Sequence, residues 1–349
     1  MAPRGACGAG RAQDFAAFRA RSRRSDQPPP PGAPGSGPLP RGTMVFEIEM
    51  PLAGASVLLD MRRPHGVERA DEVAISLFHD LGVGFALLFR RGERLVRHVL
   101  PGPLWQKQGV ARLTFGWDGK TGGWTLLLEQ EGRRLAAEGA GVIAPDMGDL
   151  HLLCAGGEEV LRHPSLLWFG VMAGPAGPGP MGWIGVATPV LTPRGPVAAG
   201  KLGPGDRVMT RDQGAVPLVS VTRLAVPGRG MLAPVRLRAP YYGRKADILV
   251  SPDQAVWIGG AEAEYLFGEE EVLVRARHLA DGAMAVAETA RAAAVGVVLD
   301  LGLPELVEAD GCLLATAGPE GVAPARRVLE AFEVLPLRQA LGRTQRRAE

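Results

Sequence analysis

The sequence predicts an all-β chain made of two domains, and three observations carry this prediction. Glycine and proline are abundant, at 48 and 30 of 349 residues, and they separate short apolar runs. Many of these runs alternate apolar and polar residues, which is the period of a half-buried strand. A segment rich in Gly and Pro, residues 174–182, divides the strand-like sequence into two parts. Because 46% of the residues are hydrophobic, each part can bury a core of its own.

The composition argues against several classes of protein. The formal net charge is only +2, which gives no overall attraction to nucleic acid, and no apolar run has the length of a transmembrane helix. The three cysteines, Cys7, Cys154 and Cys312, form no CxxC pair and no metal-ligand spacing. The sequence therefore predicts no cofactor, no metal site, no nucleic-acid partner and no membrane span. Its location is open: cytoplasmic by default, or exported by a route that needs no signal peptide.

Residues 1–44 differ from the rest of the chain in charge and composition. They hold seven Arg against two Asp, contain the proline run Pro28–Pro31, and lack the apolar stretch of a secretory signal. This pattern predicts a disordered leader, and an Arg-rich, acid-poor segment is also typical of transit peptides. A second interpretation stays open, in which the protein starts at Met44, directly before the first strand-like run.

Residues 45–173 carry the strand signals of a β-sandwich. The runs predicted to be strands are 45–60, 73–78, 84–90, 95–100, 110–129, 150–154 and 166–171. The clearest of them is 110–129, where Leu113, Phe115 and Trp117 alternate with polar or small residues before the turn sequence D-G-K-T-G-G. Asp-Gly tolerates the positive φ that tight turns need, so this segment predicts a β-hairpin.

The hairpin sequence L-T-F-G-W-D…G-G-W-T-L-L-L-E resembles laminin-G or concanavalin-like jelly rolls. This resemblance implies an antiparallel sandwich that binds a glycan or another protein. For Trp105, Trp117 and Trp124 we expect packing in the core or at its edge in preference to stacking on sugar. No cluster of Asp and Asn indicates a calcium loop.

The second domain is predicted over residues 183–320, and three collinear blocks define it. The first is T-P-V-L-T-P-R-G-P-V-A-A-G-K-L-G-P-G-D-R-V-M-T at 188–210, the second D-I-L-V-S-P-D-Q-A-V-W at 247–257, and the third Y-L-F-G-E-E-E-V-L-V-R-A-R-H-L-A-D-G at 265–282. In this order they resemble the Hint (hedgehog/intein) domain of bacterial proteins. The resemblance implies a β fold descended from self-processing proteins, in which an N-terminal Cys or Ser attacks the preceding peptide bond.

The residues that this chemistry needs are missing from the matching positions. The segment 181–187 reads M-G-W-I-G-V-A and holds no thiol or serine hydroxyl. Gln254 stands where the resemblance implies a histidine, and an amide cannot act as a general acid near neutral pH. The resemblance therefore implies a degenerate site.

Five residues remain as weak candidates for residual catalysis. Thr188 carries a hydroxyl but matches a strand entry, and Ser251 with Asp253 flanks Pro252 in a predicted turn. His278 is the one histidine of residues 183–349, and Asp300 belongs to a late strand that Pro304 interrupts. Cys312 lies inside the domain beside apolar residues, so we expect a small buried side chain.

Two helices are predicted near the end of the chain. In residues 321–349, Val328, Leu329, Phe332 and Leu335 have helical spacing, which predicts a short amphipathic helix followed by a basic tail. The Ala-rich segment 288–294 predicts a second, brief helix.

Two functions follow as alternatives. In the first, the chain stays intact and acts as a binding or structural module, with the sandwich contacting a glycan or another protein. In the second, it cleaves itself at the junction of linker and Hint domain, near residues 185–188.

Overall fold

A computed structural model describes residues 15–20, 37–63, 72–105, 107–157, 159–175, 177–318 and 321–346. The chain divides into two compact units. The first comprises Met1–Gly179 with Arg229–Met231, and the second comprises Pro180–Gly228 with Leu232–Glu349.

The first unit is an antiparallel β-sandwich. Its elements are β1 (Phe15–Ala20), β2 (Arg41–Met50), β3 (Ser56–Arg63), β4 (Val73–Asp80), β5 (Gly84–Arg91), β6 (Arg94–Pro101), β7 (Gly109–Asp118), β8 (Gly123–Gln130), β9 (Arg133–Ala140), α1 (Met147–Ala155), β10 (Val160–Arg162) and β11 (Leu166–Ala173). One sheet has the order β1-β11-β2-β7-β8-β9 and the other β10-β3-β4-β5-β6. The all-β prediction is confirmed for this unit.

Alternation along the strands builds the core between the sheets. In β7, Leu113, Phe115 and Trp117 are buried while their neighbours are partly exposed. The predicted hairpin is confirmed, because β7 and β8 pair in antiparallel register from Arg112–Glu129 to Asp118–Gly123. Trp105 and Trp124 are half-buried and pack against the same core, as expected from the sequence.

Two segments of the first unit differ from the sequence-based predictions. Residues 15–20, inside the predicted leader, form strand β1, because their backbone pairs with β11 and their apolar side chains become buried. Leu150–Cys154, predicted as a strand, lies in helix α1. Asp146 caps this helix by accepting a hydrogen bond from the Gly148 N–H at 2.8 Å, a local signal that the apolar run conceals. Residues 37–44 also belong to the predicted leader, and their last four, 41–44, begin strand β2, where they pair with β7 and β11. The other leader residues, 1–14 and 21–36, lie outside the described residues.

His98 on β6 is fully buried in the sandwich core. Its ring lies 4.8 Å from that of Phe115 and 4.9 Å from that of Trp124, measured between centroids. Neither ring nitrogen has a hydrogen-bond partner among the described residues. Burial lowers the pKa of His98 to about 4, so the imidazole is neutral in the folded protein.

Glu47 on β2 is a buried carboxylate with a complete set of partners inside the first unit. It accepts hydrogen bonds from the Arg112 guanidinium at 2.7 and 3.0 Å, from the Trp168 indole at 2.7 Å and from the Met231 N–H at 2.7 Å. Burial raises the pKa of Glu47, and Arg112 opposes that shift. The pair with Arg112 compensates a charge that would otherwise be costly to bury.

The second unit is also built from antiparallel sheets. Its elements are β12 (Ile184–Gly185), β13 (Pro189–Thr192), β14 (Gly195–Ala198), β15 (Arg207–Thr210), β16 (Gly214–Pro217), β17 (Ser220–Pro227), β18 (Val235–Leu237), β19 (Ile248–Val250), β20 (Ala255–Gly259), α2 (Ala261–Phe267), β21 (Glu271–Arg275), α3 (Ala276–Leu279), β22 (Ala285–Ala287), β23 (Ala293–Asp300), β24 (Leu306–Ala309), β25 (Cys312–Ala315) and α4 (Ala331–Arg346). One sheet has the order β17-β23-β12-β19-β18-β22. The other has the order β14-β13-β24-β25-β20-β21, with β15 paired to β24 and β16 paired to β15.

The C-terminal helix is confirmed, but only part of its predicted apolar face is buried: Leu329 is in the core, directly before the helix. Phe332 and Leu335 are exposed, at 74% and 58%. Val334 and Leu337 are buried instead, because helix α4 begins at Ala331 and turns these two positions toward the core of the second unit. The brief helix predicted at 288–294 is also wrong: the chain turns there and enters strand β23, whose pairing with β17 outweighs alanine's helix propensity.

An ion-pair network fastens the segment before α4. The Arg326 guanidinium donates to both carboxylate oxygens of Asp212, at 2.7 and 3.0 Å, and to Glu271 at 2.6 Å. Arg211 also donates to Glu271, at 2.9 Å. Two neighbouring backbone hydrogen bonds join Leu273 to Arg327 and Leu329, each at 2.8 Å.

Candidate functional site

The Ser251–Gln254 turn is the centre of the candidate site. It connects β19 to β20, and Pro252 fixes its backbone as the sequence predicts. The Gln254 N–H donates to the Ser251 carbonyl at 3.1 Å, and two N–H groups from the start of α3, those of Ala276 and Arg277, donate to carbonyls of the turn at 2.9 Å. The turn is therefore held from inside and from the neighbouring helix.

Ser251 binds the backbone on both sides of Gly182. Its hydroxyl donates to the Met181 carbonyl at 2.8 Å and accepts from the Trp183 N–H at 3.2 Å. The Ser251 N–H donates to the Trp183 carbonyl at 2.9 Å, and the side chain is fully buried. Ser251 thus fixes the amide nitrogen of the Gly182–Trp183 peptide bond.

Gln254 lies against the same peptide segment. Its side-chain NH₂ donates to the carbonyls of Ala255 and Ala315, at 3.1 and 2.8 Å. A Cβ atom at Gly182 would lie 3.0 Å from the Gln254 amide oxygen, so only glycine fits there without displacement. The amide group is engaged with the backbone and carries no transferable proton near neutral pH.

Trp183 occupies the position directly before the first strand of the unit. Its side chain is 1% exposed and packs with Leu224 and Val226. It also lies across Gly296, where an added Cβ would come within 2.5 Å of the indole. The indole therefore fills the space beside the peptide bond that Ser251 holds. In the sequence, Trp183 is visible only as part of a segment without a nucleophile, and its place directly before β12 is the signal that marks it.

A cavity of about 380 Å³ opens beside this turn. Its lining includes Gly182, Asp253, Gln254, Arg275 and Thr316. The Asp253 carboxylate, 5% exposed, forms an ion pair with Arg277. Asp253 is therefore compensated by a neighbouring cation and does not stand as a free base.

His278 is half-buried in α3 and does not line the cavity. Burial lowers the pKa of its imidazole, and the charges of Arg277 and Arg275 lower it further, while Asp253 opposes them. Burial and the two arginines thus both favour the neutral form of the ring.

Thr188 and Asp300 lie away from this cavity. Thr188 is 3% exposed, and its backbone pairs with Gly185 at 2.9 Å and Ala199 at 2.8 Å at the entry to β13. Asp300 ends strand β23, where its carboxylate accepts from the Gly302 N–H at 2.8 Å and the Ser220 hydroxyl at 3.3 Å. Of the five sequence candidates, the turn brings together Ser251 and Asp253 alone.

Cys312 and Cys154 are buried thiols without a disulfide partner. Burial raises the pKa of each to about 12. The expectation of a small buried side chain at Cys312 is confirmed, because the residue is 4% exposed in the core of the second unit. A thiol that stays protonated is a poor nucleophile.

The sandwich carries a second cavity, of about 650 Å³, on the sheet that contains β7, β8 and β9. Its lining includes Arg41, Gly116, Asp118, Trp124, Thr125 and Glu138. We call this cavity the sandwich groove. Trp117 and Trp124 both contribute to it, although Trp117 is 3% exposed.

In the described part of the chain, no group of three or more His, Cys, Asp or Glu side chains is arranged to hold a metal ion. Of the helices described, none is both long and apolar enough to cross a membrane.

Comparison with solved structures finds weak similarity to β-sandwich domains. The CBM40 domain of the Ruminococcus gnavus IT-sialidase, bound to α2,3-sialyllactose, matches 40% of this chain and 78% of its own at 14% identity and a TM-score of 0.29. The enzymatically active domain of tailspike protein 2 of bacteriophage CBA120 matches 44% of this chain and 23% of its own at 19% identity and a TM-score of 0.24. A heptameric SAP-like pentraxin from Limulus polyphemus matches 46% of this chain and 64% of its own, with 9% identity and a TM-score of 0.22.

No curated protein matches this chain. The Hint domain family model matches residues 186–320, the stretch that holds Thr188, the Ser251–Gln254 turn and His278. This stretch is the β structure of the second unit, from the end of β12 to the loop after β25. Residues 186–320 therefore match the Hint domain family, and a β-sandwich precedes them in the sequence.

Proposed function

We propose that the Hint domain of this chain does not cleave itself and that the protein acts as a binding or structural module. One observation carries the proposal. The peptide nitrogen that Ser251 holds, at 3.2 Å, belongs to Trp183, whose side chain is a buried indole. An indole has no nucleophilic oxygen or sulfur with which to attack the Gly182 carbonyl.

Self-cleavage also needs a proton for the leaving nitrogen. Gln254 is the side chain next to Gly182, and its amide is bonded to two backbone carbonyls. Neither the amide nor the Ser251 hydroxyl is a general acid near neutral pH. Loss of both the nucleophile and the acid supports an inert site better than loss of either alone.

The remaining hydroxyls do not replace the missing nucleophile. Ser251 already donates to the Met181 carbonyl and accepts from Trp183, and a serine oxygen needs an adjacent base to become reactive. Thr188 is the hydroxyl nearest to the alternative cleavage region at 185–188. It does not line the cavity that holds Asp253, so it lacks that carboxylate as a partner.

Intact-mass measurement of the freshly purified full chain tests the proposal. We expect one species at 36.8 kDa, with and without dithiothreitol. A fragment whose new N-terminus falls within residues 174–188 would establish self-cleavage and overturn the proposal.

A gain-of-function variant tests the assigned position. We expect Trp183→Cys combined with Gln254→His to release a fragment ending at Gly182 when dithiothreitol is added. The introduced thiol attacks the Gly182 carbonyl carbon, the bond to the nitrogen of residue 183 breaks, and the introduced imidazole gives that nitrogen its proton, which leaves a thioester. A thiol of dithiothreitol then attacks the thioester carbonyl, displaces the sulfur of residue 183 and releases the fragment. Gln254→His alone is the matched control and should remain intact. If the folded double variant also remains intact, the assignment of the site to this peptide bond is wrong.

The binding role falls to the sandwich, with a glycan or another protein as its partner. The sandwich groove, a cavity of about 650 Å³ with polar and apolar lining residues, supports this part of the proposal, since ligand sites commonly have volumes of this order. A glycan array probed with the full chain tests the glycan arm. Binding that survives Trp124→Ala would exclude stacking on that indole as its basis.

A further inference from the structure

We infer that the sandwich groove binds a neutral oligosaccharide, with Glu138 and Thr125 as its main polar contacts. This inference rests on the proposed binding role of the sandwich and adds the site and the chemical class of ligand. It stands on the shape, polarity and charge of the groove.

The absence of a side chain at Gly116 shapes the floor of the groove. Gly116 on β7, Thr125 on β8 and Glu138 on β9 are directly paired across the three strands, so they form one row on one face of the sheet. Thr125 and Glu138 are exposed, whereas the next residues along β7 and β8 face the core. A Cβ atom at Gly116 would lie 2.9 Å from the Thr125 hydroxyl, so a larger residue would fill the floor.

Backbone hydrogen bonds hold the opposite wall beside Arg41 and Pro175. The Gly174 N–H donates to the Arg41 carbonyl at 3.2 Å, and the buried Thr43 hydroxyl donates to the Gly174 carbonyl at 2.8 Å. The wall is therefore set before a ligand arrives, which lowers the entropic cost of binding.

The polar groups suit hydroxyl groups that both donate and accept. The Glu138 carboxylate has no ion-pair partner in the described part of the chain and can accept from two hydroxyls. Thr125 offers a hydroxyl of its own, and the exposed Pro175 adds apolar ring carbon at the same cavity. Sugar rings present this combination of hydroxyl groups and apolar C–H faces.

The charges of the groove favour a neutral ligand over an acidic one. Its one guanidinium, Arg41, lies 3.6 Å from the Asp118 carboxylate, and Asp118 also accepts from the Lys120 N–H at 2.9 Å. With Arg41 balanced by Asp118, the Glu138 carboxylate leaves the groove with an excess negative charge. A sialic acid or a phosphate would be repelled by this charge.

A glycan array of neutral and sialylated oligosaccharides, probed with the full-length protein, tests the inference. We expect at least one neutral glycan to bind, with no gain on adding sialic acid to the same core. For that glycan, titration calorimetry should show a loss of about tenfold or more for Glu138→Gln, the size expected from weakening a hydrogen bond to a charged group. Gly116→Val, which fills the floor, should abolish binding. Glu49→Gln, an exposed carboxylate on β2 outside the groove, is the matched control and should bind like the parent.

The outcomes separate this inference from the proposed function. Neutral binding that survives both Glu138→Gln and Gly116→Val, in variants with an unchanged far-ultraviolet spectrum, refutes the groove and leaves the sandwich a glycan-binding module. Binding of sialylated glycans alone refutes the neutral class. Absence of any glycan binding overturns the inference, while the intact-mass experiment still decides separately whether the Hint domain is inert.

Discussion

Ser251→Ala should lower the free energy of local opening around Gly182 more than any other substitution that removes one side-chain atom from the turn. The variant removes one oxygen that serves two hydrogen bonds, to the Met181 carbonyl at 2.8 Å and from the Trp183 N–H at 3.2 Å. The Ser251 side chain is fully buried and the Trp183 residue is 1% exposed, so water cannot readily replace the lost oxygen at the Trp183 N–H.

The expected cost follows from these two contacts. At about 1 kcal/mol for each neutral hydrogen bond, Ser251→Ala should lower the free energy of opening at this site by about 2 kcal/mol. Hydrogen exchange at the Trp183 amide should then accelerate by about 30-fold, because each 1.4 kcal/mol corresponds to about a factor of ten. The Ser251 N–H keeps its bond to the Trp183 carbonyl at 2.9 Å, so the strand itself should remain.

Hydrogen-exchange mass spectrometry on peptides that span residues 181–185 measures this effect. Ser220→Ala is the matched control, because its half-buried hydroxyl makes a single 3.3 Å hydrogen bond to Asp300 in the same unit. That variant should leave exchange at Trp183 unchanged. An acceleration below about threefold in Ser251→Ala would correspond to well under 1 kcal/mol and would refute the role assigned to this hydroxyl.

Three further predictions concern stability and reactivity. The sandwich should lose stability as the pH falls from 6.5 toward about 4, because the unfolded chain binds a proton at His98 that the folded chain excludes. His98→Phe should remove this pH dependence, measured by urea unfolding at a series of pH values. An unchanged acid sensitivity in the variant would contradict the prediction. Arg326→Ala should destabilise the second unit by about 1–2 kcal/mol at low salt and by less at high salt, measured by thermal unfolding. The control is Arg194→Ala, which should have no effect, because Arg194 is exposed and forms no ion pair with the described residues. Cys154 and Cys312 should resist iodoacetamide in the folded protein at about pH 8 and react in denaturant. Peptide mass mapping measures the labelling, and rapid labelling of either thiol in the native protein would contradict the prediction.

Much of the fold could be predicted because strand alternation is a local signal. The hairpin of β7 and β8 follows directly from the alternation around Leu113 and Phe115 and from its Asp-Gly turn. Local signals failed where tertiary pairing decides the outcome. Strand β1 forms only through β11, and the apolar run 150–154 becomes helical once Asp146 caps it.

The site could be predicted in part. The sequence identified the missing nucleophile and placed Ser251, Asp253 and Gln254 in one turn, because these residues are adjacent along the chain. It could not identify the pairing of that turn with the Trp183 backbone, since the two segments are 68 positions apart and only the sheet brings them together. For the same reason Thr188 and Asp300, which the family resemblance brought to attention, proved to lie away from the cavity.

The short strand β12 has a consequence for the order in which the second unit is completed during synthesis. Ile184 pairs with Val250 on one side and with Val297 on the other, so its second neighbour emerges from the ribosome more than a hundred positions later. Until then, the indole of Trp183 lacks the strand β23 residues that cover it. We expect nascent chains stalled before residue 297 to expose Trp183 and Ile184 to chaperones and proteases, because domains assembled from distant segments bury their apolar residues last. The residues that begin the Hint unit are thus among the last to be enclosed by it.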